Sequence, residues 1–307
     1  MENTNNIVTQ KRKADKMEIV FIISMLILPI CAFLLFYVYI NFNSILMAFQ
    51  RPTYDGTGAV EWGFTNFKMF FDSLNGVDSD VLLALRNTLI FYFTNILIKL
   101  PLSLIICYFI YKKLLLAKVH RAIIYLPNII TGTIFATLYK YMVGSGGPLF
   151  AYWEQIGVDP IYLFADSDYA MPGMLIFTIY TGLGGNFVLL GGAMNAIDTG
   201  MIDAGKIDGA GPFRELVSII MPTIWPTLST MILMSSIGVF TADGPLLLFT
   251  QGQYKTMTLN FWIFGMTTGI GAVTDYEYAS AVGLIFTILG LPIVFAVNKI
   301  LGVTKEY

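Results

Sequence analysis

Charge is what this chain has least of: Asp, Glu, Lys and Arg make up 12% of its 307 residues, against 56% hydrophobic residues. Soluble domains carry about a quarter charged residues, so this balance excludes an ordinary water-soluble globule and points to a chain embedded in lipid. Mean hydropathy is +0.70. His120 is the single histidine, which excludes a His-based catalytic triad and the paired histidines of a zinc hydrolase. The two cysteines, Cys31 and Cys107, both fall inside apolar runs and exclude a disulfide framework. No Gly-x4-Gly-Lys-Ser/Thr loop is present, so the chain does not cradle nucleotide phosphates in that manner. The net charge of −2 says nothing about a nucleic-acid partner, and none is expected. Repeats, low-complexity tracts and a linker to a second domain are also missing.

What is present is a series of long apolar runs. Residues 1–18 are polar and basic, with Lys11, Arg12, Lys13 and Lys16, and form an expected cytoplasmic tail. Spans are expected over 19–40, 88–110, 122–143, 171–194, 223–241 and 279–301, each long enough to cross a bilayer. The first shows no small-residue cleavage pattern, so it is expected to be retained. With the N-terminus inside, twelve of the eighteen basic residues fall in cytoplasmic segments, and both termini are expected in the cytoplasm. Between spans one and two, Trp62 and the run from Gly63 to Phe71 predict a short helix at the outer interface.

One polar stretch, 195–222, interrupts the apolar pattern between spans four and five. Asp198 or Thr199 is placed to cap a short helix ending near Lys206 or Ile207, and Asp208-Gly209 supplies a break. Gly211-Pro212 then starts a second helix, which Pro222 closes or kinks. The expectation is a helix, an exposed elbow and another helix on the cytoplasmic side.

The spacing in this stretch resembles the cytoplasmic loop of membrane subunits of binding-protein-dependent ATP-driven (ABC) importers, in particular the sugar permeases. That loop reads Glu-Ala-Ala, three residues, Gly, nine residues, Ile, one residue, Leu-Pro. Here Asp203-Ala204-Gly205, Gly209, Ile219 and Met221-Pro222 keep every interval, with Asp for Glu, Gly for the second Ala and Met for Leu. Further similarity lies in Gly63-x-x-Asn66-Phe67, in Arg86-Asn87-Thr88 and in Tyr278 to Gly283, so the resemblance covers the chain from about Leu26 onward. It implies an all-α polytopic membrane helical bundle of six transmembrane helices with a cytoplasmic coupling helix, the type I ABC importer permease fold. It also implies that Asp203, Ala204, Gly205, Lys206, Asp208, Gly209, Ile219 and Pro222 couple to an ATPase subunit. The implied partners are a second homologous permease, an ATPase dimer and an extracytoplasmic solute-binding protein. ATP and Mg would be bound by the ATPase subunits and no cofactor by this chain, which would lie in the bacterial cell membrane and carry a carbohydrate.

Within the spans, Lys99 stands out, since a lysine near a helix centre costs about 2.5–3.5 kcal/mol on insertion scales. Asn95, Lys99 and Ser103 recur at four-residue steps on one face, expected to turn into the bundle either as part of a translocation path or as a structural anchor. Asn186, flanked by Gly182, Gly184, Gly185, Gly191 and Gly192, is a further polar candidate, with Tyr180 or Phe187 as an apolar wall for a sugar. The glycines read first as sites of close helix packing. Lys140 reads as a snorkelling residue. Two alternatives stay open: an ion-coupled secondary transporter, which lacks the intramembrane carboxylates it would need, and an importer permease for a non-sugar solute.

Overall fold

The computed structural model describes residues 16–53, 59–76, 79–113, 116–270 and 273–302. The tail cations Lys11, Arg12 and Lys13 lie outside these. Among the described residues four helices are long and apolar enough to cross a membrane: α1 (Met17–Ala48), α3 (Asp80–Tyr111), α7 (Ala170–Asn195) and α13 (Tyr276–Leu301). Between α1 and α3 come a two-stranded hairpin, β1 (Gln50–Pro52) with β2 (Val60–Trp62), and the short helix α2 (Thr65–Ser73). The helices α4 (Ala117–Ile129), α5 (Gly132–Val143) and α6 (Pro148–Gln155) follow α3. After α7 come α8 (Thr199–Ile207), α9 (Pro212–Thr223), α10 (Trp225–Ile237), α11 (Leu246–Phe249) and α12 (Leu259–Thr268).

Two expected spans are broken. Ala117–Ile129 and Gly132–Gln155 meet at 107°, and Pro212–Thr223 meets Trp225–Ile237 at 73°; counting each bent pair as one crossing gives six. At the first break Ile130 is extended (φ −86°, ψ 141°) and Thr131 follows it (ψ 130°). Pro127 precedes the break and cannot donate to the carbonyl of Ile123, which accepts the Tyr180 hydroxyl instead at 3.0 Å. At the second break Ile224 leaves helical geometry (ψ 8°) between Pro222 and Pro226.

Helix α1 runs beyond the expected end at Ile40. Its polar residues bond back within the helix, Asn41 Nδ2 to the Tyr37 carbonyl at 2.6 Å and Ser44 to that of Ile40 at 3.0 Å, so they do not stop it. Among the described residues three stretches are wound as wide π turns: Leu34–Tyr39, Asn95–Lys99 and Leu216–Ile220. The last two each end two residues before a proline, Pro101 and Pro222. A proline ring crowds the carbonyl four residues back and offers it no donor, which favours a widened turn there.

Polar residues of the outer segments act as clamps. Asn66 is buried and donates to the carbonyls of Ala48 (3.0 Å) and Gln50 (2.9 Å) while accepting from Arg51 (3.2 Å), tying α2 to the end of α1 and the hairpin. Arg51 also pairs with Asp275 at 2.7 Å. Asn87 donates to the carbonyls of Lys255 and Met257, both at 2.8 Å, and Thr88 accepts the Leu259 amide at 2.8 Å, fixing the start of α12 against α3. Lys140, read from sequence as snorkelling, donates to the Leu248 carbonyl at 2.7 Å and so holds α11.

Side chains from α3, α7, α9 and α10 form one core, with Cys107, Leu190, Met194, Ile220 and Ile224 all nearly inaccessible. Toward the other end an aromatic cluster joins Tyr139, Phe164, Phe177 and Phe249, the last stacked on Phe164 at 4.4 Å. Glycines of α7 allow its neighbours in: a Cβ at Gly184 would overlap Asn128 Nδ2, whose amide donates to the Thr181 carbonyl at 3.3 Å.

Candidate functional site

Two regions carry the residues singled out in the sequence: an exposed elbow and a cleft among α3, α7 and α10.

In the elbow, Asp198 caps α8 by accepting the Gly200 amide at 2.9 Å. The helix stops after Ile207 in a Schellman turn: the Gly209 amide donates to Lys206 at 3.0 Å and the Ala210 amide to Gly205 at 2.9 Å. That turn puts Gly209 at φ +76°, where a side chain is strained. Asp203 and Lys206 form a surface ion pair at 2.8 Å, and their mutual hydrogen bond holds the carboxyl below its ordinary range and the ammonium above. Ala204 accepts the Asp208 amide at 3.0 Å.

Gly205 is buried, and a Cβ placed there would overlap Ile219 Cδ1. The glycine that departs from the family pattern therefore lets α9 seat Ile219 directly on the α8 backbone. Pro222 lies two residues before the bend at Ile224. The base of the elbow is held by Glu215, whose side chain is 4% exposed and whose two carboxylate oxygens accept from Lys112 Nζ at 2.9 Å. Lys112 directly follows α3, so the pair joins the elbow to the end of that helix.

Sequence reasoning missed this pair, as it missed Ile207 and Phe213, which are 87% and 79% exposed on either side of the turn. Two large apolar side chains in a polar loop were the available signal.

The cleft has a volume of about 240 Å³ and takes its polar lining from Asn95 and Lys99 on α3, Asn186 on α7, and Thr230 and Ser235 on α10. Asn95 donates to Ser235 at 3.2 Å. Ser103 is buried behind the cleft; its hydroxyl donates to the Lys99 carbonyl at 2.7 Å and accepts from Asn186 at 3.1 Å, fixing that amide's orientation. Gly182 makes room for Lys99: a Cβ there would stand 2.5 Å from Cδ and 2.8 Å from Nζ of the lysine. The lysine stem thus lies across the bare backbone of α7, with its ammonium at the cleft wall.

Of the six proposed path residues, three do not line the cleft: Ser103 lies behind it, and two are elsewhere. Tyr180 is committed to the Ile123 carbonyl freed by Pro127, and Phe187 is buried edge-on against Tyr125 at 5.3 Å. Neither lines the cleft, because both point toward α4. Among the described residues no group of three His, Cys, Asp or Glu converges.

No family profile matches the chain. Protein LplB of Bacillus subtilis is 26% identical over 291 residues, which cover 90% of this chain and 87% of LplB. The polygalacturonan/rhamnogalacturonan transport system permease protein YteP of the same organism is 24% identical over 90% of this chain and 86% of its own length. The fold matches a subunit of a bacterial ABC transporter involved in import of the acidic polysaccharide alginate, with a TM-score of 0.78, 21% identity and coverage of 94% and 98% of the two chains. Near full-length similarity to these proteins, joined to the shared fold, makes this chain similar to membrane permease subunits of ABC importers, and its fold is that of the type I permeases.

Proposed function

We propose that the chain is one of two permeases through which an ATP-driven importer moves a carbohydrate inward across the cell membrane by alternating access. The supporting relatives are named for polysaccharide transport. The observation that carries the reading is the elbow: a rigid, exposed turn presenting Ile207 and Phe213, sprung from a base locked by Glu215–Lys112 and Ile219–Gly205. In this reading Asp203, Ala204, Gly205, Lys206, Asp208 and Gly209 form the surface seated on an ATPase subunit, while Ile219 and Pro222 transmit its movement into α10. ATP and Mg belong to the ATPase dimer, and this chain holds no cofactor. A solute-binding protein delivers cargo on the opposite face, and the two termini lie in the cytoplasm.

The test is Gly209→Val in the assembled importer. A β-branched residue at positive φ distorts the turn at a cost of about 1–3 kcal/mol. Sugar uptake should fall at least about tenfold while the ATPase subunits retain their own hydrolysis. Unchanged uptake would count against the elbow as the coupling element.

A further inference from the structure

Lys99 has no counter-charge among the described residues. Among the described residues, no hydrogen-bond acceptor or carboxylate pairs with its ammonium, and the cleft it lines contains no Asp or Glu. Every other polar group of the cleft is neutral. Two of them, Asn95 and Asn186, are already held in place by Ser235 and Ser103. The fold also accommodates the lysine deliberately, since Gly182 removes the Cβ that its stem would strike.

An unpaired cation inside a membrane bundle is unfavourable unless something occupies the position beside it for part of the working cycle. A neutral sugar needs only amides and hydroxyls, which Asn95, Asn186, Thr230 and Ser235 already offer. An ammonium also donates to a sugar hydroxyl, but only a carboxylate returns the opposite charge, which makes the stronger, doubly ionic bond in a water-poor site.

Resting on the importer reading above, we propose that this cleft selects a carbohydrate bearing a carboxylate, a uronic-acid unit, and that Lys99 supplies its counter-charge during passage. The neutral side chains would then position the ring while the lysine reads the acid.

The experiment uses the complete importer in proteoliposomes, with its binding protein at equal occupancy by each sugar. An oligogalacturonide is compared with its fully methyl-esterified form, which keeps the shape and removes the charge. The wild type is expected to move the acid at least about tenfold faster than the ester, because a site built around a charged partner rejects the analogue lacking it. Lys99→Met should lose that preference and Lys99→Arg should keep most of it. Equal transport of acid and ester by the wild type overturns the proposal without needing any variant. So does a Lys99→Met importer that assembles and still prefers the acid. ATP-dependent uptake of neutral sugars alone would leave the importer reading standing and remove this one, while no ATP-dependent uptake of any sugar would remove both.

Discussion

Asp243, in the segment between α10 and α11, shows how a single residue can work against the fold. Burial pushes its carboxyl above the ordinary range, and the 2.7 Å bond from Asn260 only partly offsets this. An acid whose folded value is raised binds its proton more readily folded than unfolded. Stability therefore rises as pH falls from the raised value toward the ordinary carboxylate value, and is lower above that window. Asp243→Asn keeps an acceptor for Asn260 and removes the ionisable group. Thermal unfolding in detergent should show a higher Tm at neutral pH and a weaker dependence on pH; a lower Tm would mean that the charge is used elsewhere. Nothing in the sequence marked Asp243 apart from its acidic neighbours, because burial of a loop residue is decided by distant chain. The same limit explains Tyr180. It was legible as an aromatic near a polar face, but not as the donor to a carbonyl that Pro127 had freed on another helix.

At the scale of elements, the elbow was readable because its causes are local. Asp198 caps, Gly209 takes the left-handed turn and Pro212 opens the next helix, each within a few residues of its effect. The contact of Gly205 with Ile219 was not readable in that way, because it joins two helices across the turn. Its role suggests a paired test. Gly205→Ala gains helix propensity of about 1 kcal/mol but forces the end of Ile219 aside. Ile219→Val shortens that end. The double variant should be more stable than additivity of the two singles predicts, by about 0.5–1 kcal/mol in a double-mutant cycle; strict additivity would show that the two residues do not press on each other. The broken helices were hidden for a related reason. Prolines at 127, 222 and 226 announce possible kinks, but packing chooses where the chain yields, at Ile130 and at Ile224.

For the whole molecule, composition was sufficient to declare a membrane bundle, and the placement of basic residues set an expected orientation. Cysteine labelling checks it, in a background where Cys31 and Cys107 are replaced. With an impermeant maleimide, Glu154→Cys should react in intact cells and Asp203→Cys only after lysis; the reverse would invert the topology. The cleft was partly legible, since the four-residue rhythm of Asn95, Lys99 and Ser103 defines one face, but the facing groups Thr230 and Ser235 came only from the fold.

Both residues on which function is argued to depend most, Lys99 and Ile219, belong to the two wide turns that precede a proline. Such a turn stores one surplus residue. If either stretch tightened to ordinary winding, everything on one side of it would swivel by about 100°. The lysine would then leave the cavity wall, and the isoleucine would lift from its seat on α8, so a change of pitch in two short stretches is enough to rearrange the cleft at one end and the base of the elbow at the other.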